Sequence, residues 1–197
     1  MDEDHIQGQL ANLSSEEQKI LLQLAREALF EGVRGKKLKP VDLDGLSYRL
    51  TQLGATFVTL TINNELRGCI GSLEATRPLA EDVRVHTVAA ALEDFRFPPV
   101  NEHEVEKISI EISRLTTPRL IKYEDEDELL SQIRPDIDGV ILKKGLRRAT
   151  FLPQVWKKVP EVDLFLAMLC RKMDANSDCW REKDVQVFTY QVEKFQE

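Results

Sequence analysis

Apolar and polar positions follow two rhythms along this chain, one near 3.6 residues and one of two. Ile20, Leu21, Leu24, Ala25, Ala28 and Leu29 recur at helical spacing, and Ser14 with Glu17 forms a capping box ahead of them. Gly32 closes that run. Ala55 to Ile62 then alternates and is β-branched, which predicts a strand, and Asn63-Asn64 turns the chain back into a second strand from Glu65 to Ile70. Two registers are open for this hairpin. A two-residue Asn-Asn loop suits residues that tolerate positive φ and places Arg67 and Cys69 on the face of Val58 and Leu60. A three-residue loop that includes Glu65 instead groups Val58, Leu60, Ile62, Leu66, Gly68 and Ile70, leaving Arg67 and Cys69 with Thr59 and Thr61. The apolar pattern weighs toward the second, because a one-residue slip turns every side chain over.

Further along, Leu79 to about Phe95 reads as a helix with Leu79, Val83, His86 and Ala90 on one stripe, stopped by Pro98-Pro99. Lys107 to Arg114 alternates cleanly, with Ile108, Ile110 and Ile112 on one side. The acidic run from Glu124 to Glu128 reads as a solvated helix start leading into Leu129, Leu130 and Ile133. A second hairpin is expected around Lys144-Gly145, then a short helix from Leu152 to Trp156, a helix marked by Val162, Phe165, Leu166, Leu169 and Met173, and a last strand from Val185 to Val192. Hairpins dominate the strand connections. The expected class is therefore α+β, a mainly antiparallel sheet packed with helices in one unit that can carry a small lobe. The whole chain, 1–197, is read as one domain with residues 1–12 as a flexible lead-in.

Composition narrows the function classes. The chain has 197 residues, 42% hydrophobic and 31% charged, with a net charge of -7. That balance argues against an extended nucleic-acid surface, which needs clustered Lys and Arg. No apolar run approaches the roughly 20 residues of a membrane helix, and Met1-Asp2-Glu3-Asp4 lacks the start of a signal peptide. A cytoplasmic protein without a membrane segment is expected. Cys69, Cys170 and Cys179 form an odd, low count with no close pair, which favours reduced thiols over a disulfide framework. Cys170 lies in a helical pattern and reads as packing. Histidine is confined to His5, His86 and His103, and no zinc spacing occurs, so no metal site is assigned.

Candidate chemistry gathers in Leu66-Arg67-Gly68-Cys69-Ile70-Gly71. Arginine offers a permanent planar charge for a carboxylate or phosphate, and the alternative is a protein carboxylate such as Glu65 or Glu74. Gly68 and Gly71 permit close approach of a ligand or of another chain segment. Cys69 is the candidate nucleophile, with packing as the competing reading. Arg67 is expected to supply its positive field. Arg96 and one of Arg147 and Arg148 are further candidates for the same site, and His86 is read as a hydrogen-bonded, semi-buried histidine.

The same residues carry a resemblance. Leu66 to Leu73, Arg77-Pro78-Leu79-Ala80, Arg96-Phe97-Pro98-Pro99, Asp138-Gly139, Thr150 to Trp156 and Tyr190-Gln191-Val192-Glu193 are similar to the AMMECR family, also called AmmeMemoRadiSam system protein A. The resemblance spans about Leu13 to Phe195. It implies an intracellular α+β protein with the Cys69 motif near a cleft and Arg67, Gly68, Gly71, Arg96 and Arg148 as binding candidates. It also implies Memo-like and radical S-adenosylmethionine proteins as partners. The family's activity is not established, so no cofactor is assigned. Two expectations compete: an enzyme or small-molecule-binding protein using that cleft, and an adaptor in which the motif is structural. Ala149, where glycine is common, and the loop from Lys172 to Trp180 depart from the family pattern.

Overall fold

The computed structural model describes residues 12–197. The chain divides into two compact units, the described residues up to Thr116 with Glu193–Glu197, and Thr117–Val192. The expected flexible lead-in falls, up to residue 11, outside the described residues.

The first unit opens with α1 (Ser15–Val33), whose capping box is complete in both directions between Ser14 and Glu17. After the short α2 (Tyr48–Thr51) come β1 (Leu53–Ile62), β2 (Glu65–Gly71) and β3 (Arg77–Pro78). Then follow α3 (Leu79–Leu92), α4 (Glu102–Val105) and β4 (Ile108–Leu115). α3 stops three residues short of the expected Phe95, and residues 94–99 form a loop instead. The sheet order is β2-β1-β4-β9, all antiparallel, where β9 is Val192–Gln196. Val58, Leu60, Ile108, Ile110 and Ile112 bury one face of this sheet with Leu21, Leu29, Val83 and Ala90 of α1 and α3. β2 is left as an edge strand.

The hairpin reconciles both registers. Asn63 and Asn64 have φ of 51° and 64°, and Ile62 pairs with Glu65, so the loop has two residues. A bulge at Arg67 then shifts the pairing to Leu60↔Gly68, Thr59↔Cys69 and Val58↔Ile70. The turn chemistry and the apolar pattern are thus both satisfied, at the cost of one unpaired residue.

The second unit contains β5 (Arg119–Leu120), α5 (Glu126–Gln132), β6 (Gly139–Lys144), β7 (Arg147–Phe151), α6 (Val162–Lys172) and β8 (Gln186–Tyr190), with antiparallel order β5-β8-β6-β7. The expected single strand from Val185 to Val192 is corrected here. The chain leaves β8 at Tyr190 and enters β9 at Val192, so one β-rich run serves two sheets. The largely aliphatic core of this unit contains an aromatic cluster: Trp156 stacks on Phe165 at 3.6 Å, and Phe151 meets Phe165 edge-on at 5.3 Å. The reduced-thiol expectation is also corrected, because Cys170 and Cys179 form a disulfide across a Cα–Cα distance of 6.0 Å. The bend after α6, where Asp174 has φ of 57°, folds the atypical loop back and brings these two cysteines together. Cys69 remains as the free cysteine.

Candidate functional site

Gly68 and Gly71 make room for the chain itself. A Cβ on Gly68 would sit 2.1 Å from the Ala90 carbonyl oxygen, and one on Gly71 would sit 2.4 Å from the Thr56 carbonyl oxygen. The motif glycines are therefore consumed by packing of α3 on β2 and of β2 on β1. Of the two readings open for these positions, approach of another chain segment is the one realised.

Arg67 is likewise engaged. Its Nε and Nη2 donate to the two oxygens of Glu104 at 2.8 and 3.0 Å, and Nη1 donates to the Pro98 carbonyl at 2.9 Å. The Arg67 side chain is 13% exposed. Its partner is thus a protein carboxylate, as the alternative reading held, although Glu104 rather than Glu65 or Glu74 provides it. Arg67 ties β2 to α4 and to the proline loop.

The side chain that meets Cys69 is Arg96. Because β2 is an edge strand among the described residues, the N–H and C=O of Cys69 point away from β1 with no described strand to receive them. Asp94 and Arg96 take that place: the Cys69 N–H donates to Asp94 Oδ2 at 2.8 Å, and Arg96 Nη2 donates to the Cys69 carbonyl at 3.1 Å. Arg96 is joined to Asp94 by Nε at 2.8 Å, by Nη2 at 2.6 Å and by its own N–H at 3.2 Å. The bonds from Arg96 hold the Asp94 carboxyl well below the usual carboxylate range, against the opposing effect of burial. Asp94 in turn raises the hold of Arg96 on its proton, and the Cys69 side chain adds to that pull. The expected positive field at the thiol therefore comes from Arg96, and Arg67 is displaced from that role.

The Cys69 thiol lies half-buried beside Thr59, whose hydroxyl donates to Sγ at 3.4 Å. Pairing places Cys69, Thr59 and Glu111 on the sheet face opposite the one that α1 and α3 cover. His86 is on the covered side. There Asp82 Oδ2 accepts from the Thr56 hydroxyl at 2.7 Å and lies 3.1 Å from His86 Nδ1, in a buried cluster beneath α3. The sheet separates His86 from Cys69, so His86 cannot serve as its base.

Arg148 belongs to the second unit, on β7 opposite Lys143, and is exposed. Tyr190 of the same unit is bonded to Thr150 and to the Phe151 carbonyl, and burial pushes its phenol up to about 12. Asp138 is also a framework residue, holding Arg134 through both oxygens while its carbonyl accepts from Trp156 Nε1 at 2.7 Å. Among the described residues no cluster of three or more His, Cys, Asp or Glu is arranged to hold a metal ion. No helix among them is long and apolar enough to cross a membrane.

Asp94 and Arg96 flank Phe95 ahead of the double proline, a placement that suits a structural salt bridge or a helix stop, and the ion pair is present. Its bonds to the backbone of Cys69, and the contact of Thr59 with the thiol, carry no signal in the sequence.

Comparison with known proteins supplies the remaining observation. A sequence model of the AMMECR1 family matches residues 22–195. A protein of Methanothermobacter thermautotrophicus is 35% identical over 192 residues, covering 95% of this chain and 97% of its own. A protein of Thermococcus onnurineus is 38% identical over 188 residues, covering 90% and 88%. The crystal structure of the uncharacterized protein PH0010 from Pyrococcus horikoshii superposes with a TM-score of 0.75 at 33% identity, covering 96% of this chain and 94% of that one.

Proposed function

The chain belongs to the AMMECR1 family, and from that premise we propose that it is a cytoplasmic small-molecule-binding or enzymatic protein working through Cys69. One observation carries the reading. Two charged side chains, Asp94 and Arg96, are committed to fixing the backbone of a single cysteine, whose thiol is turned toward the sheet face opposite α1 and α3. A thiol held in one orientation by a rigid frame is preorganised for contact with a ligand. The whole chain serves this site as one AMMECR-type domain, and Memo-like and radical S-adenosylmethionine proteins are the expected partners.

Alkylation by iodoacetamide across a pH series, read by mass spectrometry, tests this directly. With Cys170 and Cys179 joined, modification of the native protein reports Cys69 alone. Cys69 is expected to react faster in the folded protein than in the same chain unfolded in urea, and Cys69→Ser is expected to lose captured metabolites. A folded rate no higher than the unfolded one overturns the reading.

The adaptor reading is favoured by a different observation. Phe95 is 94% exposed on a loop pinned by Arg67, Asp94 and the Val100 N–H. A rigidly presented aromatic side chain is a suitable anchor for a protein partner. If Phe95→Ser abolishes co-purification of a Memo-like protein while Cys69→Ser does not, docking takes precedence over the thiol.

A further inference from the structure

Two features of the first unit stay unused by its fold. The first is Phe95, whose ring is 94% exposed and belongs to neither core, although the loop that carries it is fixed. Asp94 accepts from the Cys69 and Arg96 N–H groups, and Arg67 holds the Pro98 carbonyl. Phe97 N–H donates to the Asp94 carbonyl at 3.0 Å, and Val100 N–H donates to the Ala91 carbonyl at 2.8 Å. A large apolar ring is therefore held in water at one place. Beside it stands a cation, because the Arg96 side chain is 45% exposed.

The second feature is a groove of about 630 Å³ along α1. Leu22, Arg26 and Phe30 are four residues apart on one stripe of the helix and form its half-buried floor, and Glu27 and Glu31 stand in the next row. The groove is negative, because its cations are spent elsewhere. Arg26 donates to Glu197 and to the Val105 and Ile108 carbonyls. Arg34 lies against the Phe30 ring and is paired with Glu102. Glu27 meets no cation among the described residues and accepts from Gln23 at 2.9 Å.

We propose that Phe95 of one copy of this chain seats in the α1 groove of a second copy, with Arg96 beside Glu27 of that copy. This rests on the docking reading of Phe95 above and names the partner. An apolar projection with a cation meets an apolar groove with carboxylates, so the two patches complement each other in polarity and in charge. Aromatic side chains dominate interface energetics, and a loop that is already pinned loses little freedom on docking. Projection and groove are different patches of one chain, so the contact is head-to-tail. Each added copy brings a free groove or a free Phe95, and association propagates to a ring or an open chain. One ring and one ion pair fall short of the roughly 1,200 Å² of a standard interface, so the association is weak and grows with protein concentration.

Sedimentation velocity on the purified full chain, over a concentration series, tests this. The sedimentation coefficient of the wild type is expected to rise with concentration and to pass that of a dimer. Phe95→Ser is expected to weaken self-association about tenfold or more. Glu27→Lys sets like charges together and is expected to weaken it about fivefold. Both positions are exposed, so neither substitution enters a core. The Phe95→Ser copy keeps its groove and the Glu27→Lys copy keeps its Phe95. An equimolar mixture of the two is therefore expected to associate more tightly than either variant alone and to stop at a one-to-one dimer.

A wild type that sediments as a monomer at every concentration overturns the self-association, and the docking reading of Phe95 is then judged by co-purification alone. Self-association that Phe95→Ser leaves intact, or a mixture no tighter than its components, overturns it as well.

Discussion

The two faces of the first sheet handle polar groups in opposite ways. On the covered face, Thr56, Asp82 and His86 are buried together, and among the described residues Asp82 Oδ1 has no hydrogen-bond partner. On the other face, Cys69 and Thr59 are half-buried, and the backbone of Cys69 is bonded to Asp94 and to a partly exposed Arg96. The covered cluster is closed and its geometry joins α3 to β1. The two faces therefore differ in access to their polar groups rather than in the number of ionisable residues.

The same contrast separates the two arginines of the site. Arg67 is nearest to Cys69 in sequence, but Glu104 and Pro98 use all three of its nitrogens. Arg96 comes from a loop 27 residues away, and its side chain is 45% exposed against 13% for Arg67. One arginine is largely buried framework and the other reaches solvent.

Four changes would break or sharpen the comparison. Gly68→Val should have the largest effect, because its side chain would enter the space of the Ala90 carbonyl on the covered face. A loss of more than about 3 kcal/mol is expected in urea unfolding, and a variant of wild-type stability would show that α3 does not press on β2. Asp82→Ala should follow, at about 2–3 kcal/mol, since it leaves the Thr56 hydroxyl and His86 buried without their acceptor. Its Cys69 alkylation rate should match wild type once the protein is folded; a changed rate would mean that the two faces are coupled.

Reduction of the disulfide, or the Cys170→Ala, Cys179→Ala pair, should destabilise the second unit by about 2–3 kcal/mol. Hydrogen exchange should register the loss in Thr117–Val192 and leave the β1–β2 hairpin protected. Equal loss in both units would remove the division.

Arg67→Gln should have the smallest effect, about 1–2 kcal/mol near neutral pH. Hydrogen bonds from Arg67 hold the Glu104 carboxyl below its ordinary range. With the folded value depressed, the pair's contribution is complete above the unfolded glutamate pKa of about 4.3 and is lost as pH falls through the folded value. The variant should accordingly show a shallower loss of stability in acid, while the iodoacetamide rate at Cys69 stays unchanged. A slowed rate would return the positive field at the thiol to Arg67.

Much of this was legible in the chain. The capping box at Ser14 and Glu17, the alternation in β1 and β4, the Asn63-Asn64 turn and the helical stripe of α3 are local patterns, and local sterics and burial decide them. The bulge at Arg67 was not visible, because it arises only when the turn and the apolar face of two paired strands must be satisfied together. The division of the last β-rich run at Gln191 was hidden for a similar reason, since two short strands in line read as one. The Cys170–Cys179 bond depended on the reversal after α6, which spacing alone does not reveal.

By itself, then, the sequence determined the elements, the α+β class and the segment where a thiol, an arginine and two glycines meet. Tertiary structure decided which members of that segment are framework and which are free. Hydrogen-bond capacity is finite, and whether a donor is already spent depends on partners such as Glu104 and Asp94, which lie far from the motif in the chain and beside it only once β2, α3 and α4 have packed.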